Sequence, residues 1–298
     1  MTASITFAIP FHRNEALLRI AVNSVLAQDM EDWRLLVIDD SGMELGAKEM
    51  LERLDDPRIS YLSNEQNLGM VETWNRCLDH AETDLVNLLH ADDALLPNYA
   101  SLMLDLAARF PEASAFFCET DIVSYDGAVT FSVADTVKKF LVPRTQAPEW
   151  VLHGEDAVAS LMTGYFIMTP TLCYRKSRLV DQRFDPAYKQ VQDLIYIVGL
   201  LMADHTIVGT RKCAYAYRRH ADSATSVQSE SMLRFHEEVA AFDLVAGQAR
   251  ALGWTRAART AASKRIIKLH LLYRALRELL SLRLSGAAQS VRYLVSII

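Results

Sequence analysis

The sequence predicts an α/β protein with a Rossmann-like, mainly parallel sheet flanked by helices and followed by a helical C-terminal extension. Short apolar runs alternate with segments that carry apolar side chains at helical spacing, which is the pattern of a doubly wound sheet. Two of the runs end in adjacent acids. Charge is distributed unevenly, because residues 250–298 hold ten Lys or Arg and one acid, whereas residues 1–249 hold 21 Lys or Arg and 36 acids.

Strands and helices alternate through the first part of the chain. Residues 5–9 predict a strand that ends at Pro10, because proline cannot continue a central strand, and a helix follows up to residue 28. Further strands are predicted at 35–38, 58–62 and 84–89, and further helices at 44–54, 69–80 and 97–110. This alternation specifies right-handed crossovers between parallel strands.

The second half is less regular. Strands are predicted at 115–123, 128–133 and 169–177, short strands within 207–217, and helices at 155–162 and after Asp193. Asp126 and Gly127 indicate the turn of a hairpin. Residues 134–153 have weak periodicity and two prolines. This pattern is typical of a mobile loop that covers an active site. Everything from residue 229 onward is predicted to be helical.

Composition is that of a globular protein, with 51% hydrophobic and 23% charged residues. Four widely spaced cysteines form no C-x-x-C pair and are expected to be reduced thiols. No signal-peptide pattern is recognisable at Met1, and the longest uncharged apolar run, residues 194–203, is too short to cross a bilayer. We therefore expect a cytoplasmic protein.

The adjacent acids follow two of the predicted strands. Asp39 and Asp40 directly follow the strand predicted at 35–38. Asp92 and Asp93 follow the strand predicted at 84–89, from which His90 and Ala91 separate them. Ligands bind at the carboxyl ends of strands in open α/β sheets, and paired carboxylates suit a divalent cation that holds phosphates. An acidic turn that caps the next helix explains the same residues equally well. No G-x-G-x-x-G follows the first strand, so a dinucleotide fingerprint is missing.

Five segments in this order resemble a family 2 glycosyltransferase of the GT-A fold: IPFHRNEALLRIAVNSVLAQ, VIDDSG, NEQNLGMVETWN, LLHADD, and VQDLIYIVGL with YRRHADSAT. The resemblance covers residues 5 to about 226. It implies a GT-A domain at 1–228, with a donor half at about 1–125 and an acceptor half at about 126–228, and it leaves 229–298 as a basic helical extension. It further implies metal-dependent, inverting transfer of a sugar from a nucleotide-diphosphate donor to an acceptor hydroxyl, in polysaccharide, lipopolysaccharide or other glycoconjugate synthesis.

The resemblance also assigns roles to individual residues. Asp92 matches the ligand of Mn²⁺ or Mg²⁺, with His220 as a further ligand, and Asp193 matches the general base. The remaining positions match contacts with the donor, which is expected to be a UDP-sugar: Pro10, Phe11 and Asp39 at the base, Asn67, Gly69 and Asn75 at the sugar and phosphates, and His90 in the D-x-D region.

Each assignment has a structural alternative. Asp39 could form an Asx turn with Ser41 and Gly42, and Pro10 and Phe11 could simply end a strand. The segment from Asn67 to Gly69 could be the entry to a helix, His220 could be a surface histidine beside two arginines, and Asp193 could only cap its helix.

Four positions depart from the family pattern. His90 replaces the first Asp of D-x-D, so the contact of that Asp with ribose or metal is either made by imidazole or lost. His12 and Arg13 replace the usual aromatic residue and Asn after the opening proline, and Gln192 stands where Glu is frequent. These departures put the identity of the donor nucleotide in doubt.

Two rival functions remain open from the sequence. A nucleotidyltransferase also combines such a sheet with acids and a metal, although it usually has a Gly-rich loop after the first strand. A non-catalytic nucleotide-sugar-binding protein could share the fold, and retention of both Asp92 and Asp193 argues against it.

The basic C-terminal extension has an apolar stripe of its own. Leu269, Leu272, Leu276 and Leu279 share one side of a predicted helix, whereas Lys264, Lys268 and Arg274 point elsewhere. The stripe could meet a membrane surface or another subunit, or it could pack on the catalytic domain. A saccharide or a lipid-linked molecule is the expected acceptor. Nucleic acid is not an expected partner, because the basic region lacks interleaved aromatic residues.

Overall fold

The computed structural model describes residues 4–42, 45–130, 147–179, 182–220 and 232–298. Nine strands within these residues form one sheet. The strands are β1 (Ile5–Phe11), β2 (Trp33–Asp39), β3 (Ile59–Ser63), β4 (Leu85–Leu88), β5 (Ala94–Leu95), β6 (Ala113–Val123), β7 (Glu149–Leu152), β8 (Cys173–Arg175) and β9 (Thr206–Arg218). Their order is β3-β2-β1-β4-β8-β6-β9-β5, and β7 pairs with β9.

Helices cover both faces of the sheet and continue into the C-terminal region. In the described residues they are α1 (Glu15–Leu26), α2 (Leu45–Glu52), α3 (Met70–His80), α4 (Tyr99–Arg109), α5 (Gly154–Thr163), α6 (Gln192–Met202), α7 (Leu233–Ala251), α8 (Thr255–Ser263), α9 (Arg265–Leu280) and α10 (Leu284–Ser296). Short 3₁₀ turns at Thr169–Thr171 and Lys176–Arg178 flank β8.

The first half of the sheet is parallel, as predicted. β1 lies between β2 and β4 and pairs with both in parallel, and β2 pairs with β3 in parallel. Alternate side chains of β4 enter two different cores, with Leu85 in one and Val86 in the other. A strand with both faces covered has no solvent side, which explains its continuous apolar sequence.

The second half makes the sheet mixed. β8 runs antiparallel to both β4 and β6, whereas β6 and β9 are parallel to each other. The prediction of a Rossmann-like sheet flanked by helices is confirmed, but the sheet is mixed and not mainly parallel, because only the half formed by β1 to β4 is parallel throughout.

The prediction that the first strand ends at Pro10 is wrong. β1 continues through Pro10 to Phe11, and Pro10 lies opposite Ile38 of β2. The ladder between β1 and β4 runs only from Ile5 to Ala8, so beyond it the strand has no ladder partner on that side. Proline has no backbone N–H to donate, and a strand tolerates this at a position where one of its sides is unpaired, as in an edge strand.

Three predictions for the second half need correction. The cover predicted at 134–153 contains the edge strand β7, while residues 131–146 lie outside the described part of the chain. Of the strand predicted at 128–133, the described residues form one isolated bridge between Val129 and Val123. The strands predicted at 169–177 and within 207–217 are the short β8 and the single long β9.

The C-terminal helices are attached to the body through α7 and α8. The Glu155 carboxylate accepts the backbone N–H groups of Arg256 and Ala257, at 2.5 and 3.1 Å, at the start of α8. The leucine stripe of α9 faces solvent, since Leu269, Leu272, Leu276 and Leu279 are 51–62% exposed. The interpretation in which this stripe packs on the catalytic domain is therefore wrong. Among the described helices, none combines the length and the hydropathy needed to cross a membrane.

Candidate active site

The acids at the end of β2 are buried and fully engaged. Asp39 accepts the backbone N–H of Ser41 at 2.8 Å and the hydroxyl of Tyr61 at 2.7 Å, one on each carboxylate oxygen. Burial and the neighbouring Asp39 carboxylate raise the pKa of Tyr61 to about 12, so its hydroxyl stays a donor. The Asx turn is therefore present. Contact between Asp39 and a nucleotide base stays a prediction, because the side chain is fully buried.

Asp40 organises the segment that carries two of the predicted donor contacts. Its carboxylate accepts the backbone N–H groups of Leu68 and Gly69, at 2.7 and 2.9 Å, and the amide of Asn64 at 2.7 Å. Gly69 has a φ of +86°, which glycine adopts without strain. Asn67 donates to the carbonyl of Asp40 at 3.0 Å. The role of Asp40 was missed, although the doubled acid in VIDDSG was the available signal.

The carboxyl end of β1 lies beside these residues. Phe11 is opposite Asp39 in the register and its ring is buried in the core, whereas Pro10 is half-buried. His12 and Arg13 follow directly, with 2.8 Å between the Nη2 of Arg13 and the Nε2 of His12. Both side chains are exposed.

A second group of polar side chains follows β4. His90, Asp92 and Asp93 have potential metal-ligating atoms within 4.8 Å of one another. Asp93 is fully buried and already used, because it accepts the Tyr215 hydroxyl at 3.0 Å and the Arg218 backbone N–H at 2.7 Å. Burial, with the Asp92 charge, raises the pKa of Asp93 well above its usual range. Asp93 is thus an anchor between β4 and β9, a role that sequence reasoning missed.

Asp92 and His220 meet across 128 positions of sequence. The Nε2 of His220 lies 2.9 Å from the Oδ2 of Asp92, and the two side chains are 10% and 32% exposed, respectively. Arg218 helps to hold Asp92 beside His220, because its Nε donates to the carbonyl of Asp92 at 3.0 Å. The ring of Tyr125 packs edge-on against His220 at 6.2 Å. A carboxylate next to an imidazole, with His90 close by, fits a divalent cation.

Asp193 lies in the first turn of α6, as predicted. The N-cap residue is Val191, and the carboxylate of Asp193 accepts the Thr169 hydroxyl at 2.6 Å and the backbone N–H of Leu194 at 2.8 Å. The hydroxyl of Tyr165 lies 3.2 Å from that of Thr169, so a polar chain leads to the carboxylate. Thr169 was missed because nothing in its local sequence distinguishes it.

His90 belongs to the same group of side chains as Asp92. Partial burial lowers its pKa, and the nearby charges of Asp92 and Asp193 oppose that shift. The Trp74 ring stacks on the His90 imidazole at 5.6 Å between centroids and touches Phe184 edge-on. The imidazole is therefore held by an aromatic wall of Trp74 and Phe184, which sequence reasoning missed.

Asn75 lies apart from these groups. Its amide donates to the Phe184 carbonyl and accepts the Phe184 backbone N–H, both at 2.9 Å, and the side chain is buried. The amide therefore joins α3 to the segment that leads to α6. Its contact with a donor sugar stays a prediction. Gln192 is likewise buried, one position before Asp193.

The family model described as Glycosyl transferase family 2 matches residues 6–146, just under half of the chain. This region is therefore similar to the glycosyltransferases of family 2. The succinoglycan biosynthesis protein ExoW of Rhizobium meliloti is 27% identical over 78% of this chain and 71% of its own length. The Escherichia coli UDP-Glc:alpha-D-GlcNAc-diphosphoundecaprenol beta-1,3-glucosyltransferase WfgD is 28% identical over 35% of this chain and 41% of its own length. The chain spans less than half the length of several such relatives.

Two solved structures share the GT-A fold. TarS 1-349 of S. aureus, in complex with UDP-GlcNAc, has a TM-score of 0.61 and 16% identity over 82% of this chain and 66% of TarS. The mannosyltransferase PcManGT of Pyrobaculum calidifontis, in complex with GDP-Man and Mn²⁺, has a TM-score of 0.60 and 14% identity over all of this chain and 86% of its own. At this identity the similarity establishes the fold.

Proposed function

We propose that this protein is an inverting glycosyltransferase that moves a sugar from a nucleotide-diphosphate donor to an acceptor hydroxyl. The observation that carries the proposal is the group of possible metal ligands that His90, Asp92 and His220 form after β4, together with the Asp193 carboxylate at the start of α6. Displacement of a diphosphate needs neutralising charge on the leaving side and a base on the acceptor side. Asp92, in the turn between β4 and β5, and Asp193, in α6, supply carboxylates from distant parts of the chain.

Asp92 and His220 would hold the divalent metal, Mn²⁺ or Mg²⁺. When bound, such an ion supplies positive charge that stabilises the diphosphate as it leaves. Asp93 is not among the ligands that we propose, because it is fully buried and anchors Tyr215 and Arg218. The Mn²⁺ complex of PcManGT supports a metal in a protein of this fold.

The donor would lie along the carboxyl ends of β1, β2 and β4. Asn67 and Gly69, fixed by Asp40, would border its phosphates, with Pro10, Phe11 and Asp39 nearer the base. A UDP-sugar is our preferred donor. TarS in complex with UDP-GlcNAc supports this preference, and PcManGT in complex with GDP-Man makes a guanosine donor the alternative to test.

Asp193 would act as the general base toward the acceptor hydroxyl. The hydrogen bond from Thr169 orients the carboxylate at the start of α6. Because WfgD by its name acts on a diphosphoundecaprenol-linked sugar, we propose a lipid-linked or other saccharide acceptor, used on the cytoplasmic side of a membrane.

Binding of nucleoside diphosphates tests the donor site first. We expect UDP with Mn²⁺ to raise the melting temperature of the protein more than GDP, CDP or ADP, because a ligand that binds only the folded state stabilises it. Asp92→Asn should lose the dependence on Mn²⁺. Asp105→Asn, a surface acid on α4 paired with Arg109, is the matched control. Unchanged Mn²⁺ dependence in Asp92→Asn would show that the metal assignment is wrong.

Assays of the products that the protein releases distinguish the rival functions. A glycosyltransferase releases UDP from a UDP-sugar when a suitable acceptor is present. A nucleotidyltransferase would instead release pyrophosphate from a nucleoside triphosphate and a sugar phosphate, and a binding protein would turn over neither mixture. Release of pyrophosphate would replace our proposal with the first rival.

A further inference from the structure

The C-terminal helices α9 and α10 expose an unusual amount of apolar side chain. On α9 the solvent side carries leucines and one tyrosine, and Leu280 is 77% exposed. On α10 a stripe repeats at intervals of three and four residues, and Val295 is 66% exposed. We call these residues the leucine face: Leu269, Leu272, Tyr273, Leu276, Leu279, Leu280, Leu282, Leu284, Val291, Val295 and Ile298.

The packing of α9 explains why this face needs a partner outside the described chain. Ile267, Leu271 and Ala275 are buried on one side of the helix, and Leu269 and Leu276 lie on the opposite side. A solvent-exposed helix normally buries one apolar side and presents a polar one. α9 is apolar on both sides, and an exposed apolar patch of this size marks an interaction surface.

Charge indicates which partner fits the leucine face. Residues 265–298 contain six Lys or Arg and one acid, Glu278, whose side chain is only 9% exposed and contacts Arg277. Arg265 lies on the exposed side of α9 together with Leu269, and Arg283 precedes α10 with 69% of its side chain exposed. Pairing of two such faces would bring like charges together. An anionic bilayer surface would instead meet both the basic groups and the leucines.

The leucine face is also connected to the candidate active site. α9 and α10 pack on α7 through ring contacts of Phe235 with His270 at 5.0 Å and of His236 with Tyr293 at 4.4 Å. Glu237 of α7 accepts the backbone N–H groups of Lys189 and Gln190, with shortest distances of 3.0 and 2.7 Å. These two residues come shortly before Asp193, so the helices are fixed to the segment that leads to the proposed base.

We propose that the leucine face of α9 and α10 docks the protein on the surface of an anionic lipid bilayer. The leucines would enter the boundary between headgroups and acyl chains, while Arg265, Lys268, Arg283 and Arg292 meet lipid phosphates. Such binding is peripheral and reversible, since it uses buried apolar area together with electrostatic attraction. The inference does not depend on the sugar-transfer reaction.

Sedimentation with vesicles tests the inference on the full chain. We expect binding to vesicles of phosphatidylcholine with phosphatidylglycerol, weakened by salt, and little binding to phosphatidylcholine alone. The double variant Leu272→Gln/Leu276→Gln should weaken binding about tenfold or more per leucine. Arg265→Gln/Lys268→Gln should weaken it about fivefold per charge. The matched control is Leu54→Gln/Val151→Gln, at two exposed apolar positions on the body.

Three results would overturn the inference: no binding of the wild-type chain to anionic vesicles, equal binding by the leucine variant and the control, or a vesicle-free dimer that the leucine variant abolishes. The last result would assign the face to a second copy of the chain. Melting temperature and nucleotide binding of the leucine variant should stay unchanged, because its targets are exposed. These two readouts separate a failure of docking from a failure of the proposed transferase function.

Discussion

Asp193 is the residue on which the proposed chemistry depends most. Its carboxylate is held by the Thr169 hydroxyl, so its direction is set by a neighbouring loop as well as by α6. The alternative, in which Asp193 only caps the helix, has less support, because Val191 is the N-cap residue. A base must keep its charge and lie within hydrogen-bond reach of the acceptor hydroxyl.

Replacing Asp193 by Asn removes the base and keeps the shape of the side chain. We expect Asp193→Asn to bind the donor normally and to transfer sugar at least about a hundredfold more slowly, because general-base catalysis contributes about 10²–10⁴-fold. Initial rates and donor affinity, measured side by side, give the answer. Asp185→Asn, in the loop before α6, is the control. Near wild-type transfer by Asp193→Asn would remove it from the mechanism.

At the scale of elements, the sheet is tightest where β6 and β9 pair. A Cβ on Gly209 of β9 would lie 2.1 Å from the Phe117 ring, and that ring stacks on Trp150 of β7 at 5.9 Å between centroids. The three strands thus share one aromatic layer that needs a glycine beneath it. β9 continues from this layer to Arg218, and His220 follows two residues later, so the packing of β9 helps to position the partner of Asp92.

Filling this space should destabilise the protein. We expect Gly209→Ala to lower the free energy of unfolding by about 2 kcal/mol or more, since overpacking displaces side chains and backbone. Gly199→Ala is the matched control, because a Cβ at that helical position meets nothing within 4 Å. It should raise the stability by about 1 kcal/mol or less, through helix propensity. Chemical denaturation measures both, and equal stability of the two variants would contradict the close packing.

At the scale of the whole molecule, the C-terminal helices are joined to the acceptor side of the site. Glu237 accepts two consecutive backbone N–H groups of the segment before α6. The chain reaches this contact only after completing the sheet, so the helical extension and the GT-A domain are not independent in the fold.

The Glu237 contact predicts coupling between the extension and transfer. We expect Glu237→Ala to lower the free energy of unfolding by about 1.5–3 kcal/mol, because hydrogen bonds to a charged acceptor are lost. Transfer should fall more than donor affinity, since the loosened segment leads to Asp193. Glu238→Ala removes only an ion pair with Arg234 one turn away, worth about 0.5 kcal/mol or less. Identical transfer rates in the two variants would show that the extension does not influence the site.

The sequence by itself determined the α/β alternation, the parallel half of the sheet and the acids at the strand ends. These features depend on local patterns, namely apolar periodicity and the residues that stop a strand. The same patterns located β1 to β4 and the helix that carries Asp193 in its first turn. These local patterns overstated the effect of Pro10. Whether a neighbouring strand pairs with one side of β1 depends on distant parts of the chain.

Only the tertiary structure decided which polar groups share a site and which are used internally. The pairing of Asp92 with His220, the anchoring of Asp93 by Tyr215 and Arg218, and the contact of Thr169 with Asp193 all join distant segments. Two adjacent acids look alike in sequence, yet β9 buries Asp93 and leaves Asp92 partly exposed. Likewise, both sides of α9 are apolar, and the packing of α7 against one of them decided that the leucine stripe faces solvent.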